Sequence, residues 1–195
     1  MSRCRTIKRE TNETKIELTL DLDGTGKANV NTGIGFLDHM LNSFARHGFF
    51  DLTVEAKGDL NVDTHHTTED IGIVLGLAIK EALGDKVGIR RFGDCILPMD
   101  ETLMLAAVDL SGRPYFGFDC SFETERVGAL ETQCVREFFY AVSYSGEMNL
   151  HIREISGIND HHKIEAMFKA FARALDEAVS LDPRSKSVPS TKGTL

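Results

Sequence analysis

Two short segments hold the residue types that could do chemistry. DTHHTTED, Asp63 to Asp70, and NDHHKIEA, Asn159 to Ala166, each contain His-His-x-x-Glu, and between them they take four of the chain's seven histidines. Glu69 follows His65 by four residues and His66 by three, and Glu165 stands in the same relation to His161 and His162. On a helix that begins at the doublet, these spacings put an imidazole and a carboxylate on one face, within reach of one ion. Neighbouring histidines cannot point the same way, so one of each pair would serve one metal and its neighbour another. Imidazole with carboxylate and no thiolate suits manganese, iron or zinc better than calcium or copper(I). A lone histidine near a helix start is ordinarily solvated or capping, and two identically spaced doublets argue against that for both.

The elements that must position these groups occur twice. Glu13-Thr14, Asp21-Leu22 and Gly24 recur as Glu101-Thr102, Asp109-Leu110 and Gly112; His39 to Gly48 recurs as Glu137 to Gly146; and the doublets recur with the register held into IKEAL and LDEAV. The chain therefore reads as a duplicated unit, with a first half over residues 1–92 and a second over 93–195 that together make one domain. Each half runs strands, helix, strand, helix. TKIELTLDLDG alternates Ile16, Leu18, Leu20 and Leu22 with polar residues, as a half-buried strand does. FLDHMLNSFARHG puts Leu37, Met40, Leu41 and Phe44 on one helical stripe, and Gly48 stands where the helix would stop. DLTVEAKGDLNV predicts a strand or hairpin, and IGIVLGLAIKEALG and MFKAFARALDEAV predict the closing helices. His39 lies on the first helix, where Asp38 and Asn42 equally suit a solvated face; its repeat counterpart, Glu137, is also a possible ligand.

Composition bounds the partners. With 195 residues and 42% hydrophobic content the chain can bury a core. A net charge of -8 argues against nucleic acid, no apolar run approaches a membrane span, and MSRCRTIKRETNET lacks the apolar core of a secretory signal, so a cytoplasmic protein is expected. Cys4, Cys95, Cys120 and Cys134 form no C-x-x-C pair and read as small buried hydrophobes. Arg91 and Arg113 sit beside glycines at element boundaries, where a guanidinium can fork onto a phosphate, although each alone is more often a surface residue. His151 falls in the polar phase of a strand and reads as structural, and SVPSTKGTL reads by composition as a disordered terminus.

FLDHML…HG, DTHHTTED, RFG…PMDE, SGRP, NLHI…NDHHKIEAMFKAFARAL and PSTKG, in this order and across essentially the whole chain, resemble the imidazoleglycerol-phosphate dehydratase family of histidine biosynthesis. The resemblance implies an α+β fold of two halves, each a four-stranded sheet with two helices, with the helices packed between the sheets. It implies trimers that combine into a homo-oligomeric shell of twenty-four chains, with active sites between subunits. It also implies two manganese ions per site: one held by His65, Glu69, His162 and Glu137, the other by His39, His66, His161 and Glu165. Many relatives have histidine where this chain has Glu137, which adds a negative charge. The substrate set implied is Glu13, His39, His47, His65, Arg91, Arg113, His161, Lys169, Ser190, Thr191 and Lys192. The tail would then be a folded lid over the phosphate, contrary to its composition.

The implied reaction removes water from a diol between an imidazole ring and a phosphate, giving imidazole acetol phosphate. The hydrogen to be lost has no neighbouring carbonyl, so the ring, bound as imidazolate by two metals, would supply the electrons that expel hydroxide. Glu13, Glu69 or Glu165 would shuttle protons, and Glu13 is favoured because it is not needed as a ligand. From the doublets alone, a metal-dependent hydrolase, a storage bundle and a protein glued by structural ions remain open.

Overall fold

The alternation in TKIELTLD resolves into a strand with Ile16, Leu18 and Leu20 buried and the residues between them facing outward. This is β2 (Thr14–Asp21) of a first sheet that also holds β1 (Cys4–Glu10), β3 (Ala28–Asn31) and β4 (Asp51–Gly58), in the order β1-β2-β4-β3. The computed structural model describes residues 2–195. A second sheet repeats the pattern with β5 (Phe92–Met99), β6 (Thr102–Asp109), β7 (Tyr115–Asp119) and β10 (Asn149–Ser156), in the order β5-β6-β10-β7. In each sheet the last pairing, β3 with β4 and β7 with β10, is parallel and the others are antiparallel. A small hairpin, β8 (Arg126–Val127) with β9 (Leu130–Glu131), precedes the third helix.

Four helices fill the space between the sheets: α1 (Gly35–Gly48), α2 (His65–Leu83), α3 (Thr132–Ser145) and α4 (Asp160–Val179). Helix α2 rests on β1 and β2, and α4 on β5 and β6, while α1 packs on α4 and α3 on α2. Each half thus contributes one helix to each cross-half pair. The α2–α3 crossing is close because two glycines face it. A Cβ on Gly72 would come 2.6 Å from the Phe138 carbonyl, and one on Gly76 2.6 Å from that of Val142. Between the pairs lies a run of buried rings, Phe138, Phe139, Phe168, Phe171 and Phe44, with neighbouring centroids 4.8 to 5.7 Å apart.

DLTVEAKGDLNV takes the strand of its two alternatives, followed by a turn closed by the Val62 N–H on the Asp59 carbonyl at 2.8 Å. Two expectations need correction. The tail follows a defined course: Asp182 N–H donates to the Gly88 carbonyl, Gly88 N–H to that of Ser187, and Arg91 Nη1 to that of Pro189. Its polar composition hid this because the partners are the Gly88 backbone and the Arg91 side chain, contacts that composition does not register. Of the four cysteines, all free, only Cys134 is buried; the others are half-buried at the margins of the sheets. His151 packs on Tyr115 at 5.3 Å between centroids and fills the space left by Gly117.

Candidate metal centre

Both doublets sit at helix starts, and the same repeat position supports each, Asn159 as the N-cap of α4 and Asp63 from one residue before the N-cap of α2. The Asp63 carboxylate accepts from His65 N–H at 2.8 Å; the Asn159 side chain accepts from His161 N–H at 2.9 Å and His162 N–H at 3.4 Å. With the first turns so held, the rings of each doublet stand nearly perpendicular, at 87° in both, with centroids 6.1 Å apart. The two imidazoles of a doublet therefore face different surroundings.

The first histidine of each doublet meets the carboxylate four residues on. His161 Nε2 lies 3.1 Å from Glu165 Oε2, and His39, from α1, brings its Nε2 to 3.3 Å from the same oxygen. Donors bound to one first-row ion at about 2.0–2.2 Å stand roughly 3 to 4 Å from one another, so the three groups fit a metal by spacing and donor type. The Phe36 ring lies against His161 with centroids 5.0 Å apart. In the other half, His65 Nε2 lies 3.5 Å from Glu69, while the Glu137 carboxylate turns to Arg136 at 2.8 Å. Among the described residues Glu137 joins no three-ligand group.

The second histidine of each doublet goes elsewhere. His66 Nδ1 lies 3.0 Å from Asp59 and 3.7 Å from Glu13, and these three form the other group of potential ligands. His162 Nδ1 lies 2.9 Å from Glu101, and its Nε2 3.7 Å from Asp100. The structure therefore does not bring His66 to the His39, His161 and Glu165 group of its own chain. Asp59, Asp100 and Glu101 were not among the residues singled out from sequence. For Glu101 a signal existed, since it is the repeat counterpart of Glu13.

The charges are set by these contacts. Burial opposes ionisation of Glu165, but Lys169 at 2.7 Å, together with His39 and His161, outweighs it and holds the carboxyl below its usual value. The Asn159 N–H and the His162 imidazole drive Glu101 down to about 2. Asp59 raises His66, and Glu101 raises His162, above the ordinary imidazole value. His47, further along α1, is lowered by burial and by Lys169 and Arg173 facing it from α4, so a cationic patch adjoins the Glu165 group.

Glu13 sits in a turn pinned by Thr11 Oγ1, which accepts from the N–H groups of Glu13 and Thr14; Thr14 Oγ1 in turn donates to Asp70 at 2.5 Å. A recess of about 210 Å³ opens beside Glu13 and Asp59. A larger hollow of about 660 Å³ lies over β1, β2 and β4 and contains none of the histidines. Arg91 has φ +74°, a left-handed conformation costly for a side-chain-bearing residue, and is held there by a fork onto Asp109 at 2.7 and 3.2 Å. Arg113 is exposed beside the Ser111 carbonyl; Ser190 is half-buried, and Thr191 and Lys192 are exposed.

An internally duplicated α+β chain with helices between its sheets, presenting histidine–carboxylate sets at helix starts, is the class of protein these observations define. The chain belongs to the imidazoleglycerol-phosphate dehydratase family, whose pattern matches residues 32–175. It is 62% identical to the imidazoleglycerol-phosphate dehydratase of Lachnoclostridium phytofermentans and 56% identical to that of Geobacillus kaustophilus, in both cases over the full length of both chains. Its fold is similar to the crystal structure of the Staphylococcus aureus dehydratase, with TM-score 0.84, 42% identity, and 92% of this chain and 99% of that one covered. The Pyrococcus furiosus structure gives TM-score 0.84 at 36% identity, covering 97% and 100%. The family is one of lyases, which sets aside the hydrolase and storage-bundle alternatives. No described helix is long and apolar enough to cross a membrane.

Proposed function

We propose that this chain removes water from D-erythro-imidazole glycerol 3-phosphate to give imidazole acetol phosphate in L-histidine biosynthesis, at a site that takes two manganese ions. The observation that carries this is the convergence of His39, His161 and Glu165, from helices of opposite halves, on one point at ligand spacing. By the repeat, His65, Glu69 and Glu137 make the second set. His66 and His162, turned away from these sets, would complete those of neighbouring copies, which accounts for active sites between subunits of a trimer-based shell of twenty-four chains. Manganese held by these residues would supply Lewis acidity toward the substrate's imidazole, so that the ring could carry negative charge.

The protein's own groups do the rest. Glu13, exposed and not needed in either manganese set, moves the proton between the carbons of the diol; Glu69 and Glu165, which would hold metal, are the alternative shuttles. His47 and Lys169 take the phosphate from one side. Arg91, with two guanidinium N–H groups beyond the three used on Asp109 and Pro189, takes it from the other, with Arg113 and the tail residues Ser190, Thr191 and Lys192. Arg91 thus holds the lid segment and the ligand with one side chain. A biosynthetic enzyme of this kind belongs in the cytoplasm.

The test is product analysis with the purified chain and manganese. Formation of imidazole acetol phosphate without release of inorganic phosphate is expected. Phosphate release, or no product from the loaded and assembled protein, would refute the proposal.

A further inference from the structure

The duplication is broken at one informative place. Glu13 and Glu101 are repeat counterparts, yet Glu101 accepts from His162 Nδ1 at 2.9 Å while Glu13 stays 3.7 Å from His66 Nδ1. In the first half the short contact is made by Asp59 instead, at 3.0 Å. Asp59 follows β4 directly, and the residue that follows the equivalent β10 is Gly157, which has no side chain to offer. Two different residues, reached by two different elements, therefore deliver a carboxylate to the same atom of equivalent histidines.

A carboxylate on Nδ1 fixes the proton there and leaves Nε2 as the lone-pair atom, which selects both tautomer and ring orientation. We infer that Asp59 and Glu101 are positioning residues, which hold His66 and His162 as Nδ1–H tautomers with Nε2 presented as the ligand atom. The arrangement also explains why Glu13 is available for proton transfer: Asp59 has taken over the task its counterpart performs. In the second half Glu101 is committed, because three further contacts anchor it. It accepts from Asn159 N–H at 2.9 Å, from Ile158 N–H at 3.3 Å and from Thr102 Oγ1 at 3.2 Å. The inference rests on the metal-site reading only for what Nε2 binds, and the tautomer can be read without metal.

The experiment compares Glu101→Ala, Glu101→Gln, Asp59→Ala and Glu13→Ala. Solid-state NMR of metal-free, 15N-histidine-labelled protein reads the tautomers, and competition against a chelator reads manganese affinity. Glu101→Ala and Asp59→Ala should each convert one histidine from the Nδ1–H form to a mixture and weaken one of the two manganese ions about 10- to 100-fold. Glu101→Gln, which keeps an acceptor oxygen, should recover the tautomer and part of the affinity, and Glu13→Ala should change neither. Unchanged tautomers in both Ala variants, or equal losses in Glu13→Ala and Asp59→Ala, would overturn the assignment. Should the native protein bind no manganese while the tautomers shift as described, the positioning role stands and the metal reading fails.

Discussion

Replacing Gly72 by alanine tests whether the α2–α3 crossing sets the spacing of the proposed second ligand set, His65, Glu69 and Glu137. The added Cβ would sit 2.6 Å from the Phe138 carbonyl and 3.0 Å from the Ala141 Cβ. An ordinary contact needs 3.4 Å, so the helices must part by about 0.8 Å, the difference between 3.4 and 2.6. Overpacking of this kind costs about 1–3 kcal/mol. The better helix propensity of alanine returns about 1 kcal/mol, which leaves a net loss of up to about 2 kcal/mol. At the size of this chain that lowers Tm by up to roughly 8 °C. The displacement falls where it matters, because Glu69 lies one turn before Gly72 and Glu137 immediately precedes Phe138. A shift of about 1 Å in reacting groups can cost on the order of 100-fold in rate, so turnover should fall roughly 10- to 100-fold. Thermal unfolding and steady-state turnover, both with manganese present, give the two numbers. Gly35→Ala is the control, since nothing lies within 4 Å of a Cβ there. Gly72→Ala with native Tm and native turnover would show that the crossing does not set that spacing.

Glu13→Gln should keep metal and assembly but lose about 10²- to 10⁴-fold in turnover; full turnover would move the proton shuttle to another carboxylate. Asn159→Ala removes the acceptor for His161 and His162 N–H and should cost about 1 kcal/mol in unfolding, with Asn159→Asp restoring it; equal unfolding midpoints for the native and Ala proteins would contradict the capping role. The pH response follows from the raised His66 and His162. Without metal, their carboxylate partners stabilise the protonated form, a contribution complete below about 6.5 and lost as pH rises through the raised values. Ligand histidines must be neutral, so stabilisation by manganese runs the other way and fades as pH falls through the same range. The manganese-induced rise in Tm should be large at pH 8 and nearly gone at pH 5; an equal rise at both would contradict it.

The fold was legible where a period or a repeat announced it. Ile16, Leu18 and Leu20 gave a strand, Leu37, Met40, Leu41 and Phe44 a helix, and the doublets their place at helix starts. The four-strand sheets and the layering came from family likeness, since β1 is an outer strand whose CRTIKRE carries no clean alternation. Of the site, His39, His161 and Glu165 meet within the chain, and the spacing of the last two foretold that pair. Asp59 and Glu101 were missed for different reasons. Asp59 reaches His66 only because the chain turns after β4, a tertiary fact. Glu101 was visible as the counterpart of Glu13, but a repeat match does not say which copy does chemistry and which holds a neighbour. The tail's course depends on hydrogen bonds to the Gly88 backbone and the Arg91 guanidinium, tertiary contacts that no local sequence pattern encodes.

Turnover of imidazoleglycerol phosphate by chelator-stripped protein, before and after manganese is restored, decides whether the proposed metal site is the seat of the reaction. No activity is expected without metal, and full activity once two ions per chain have bound. Equal turnover in the stripped, metal-free protein, or none in the fully loaded and assembled one, would contradict it.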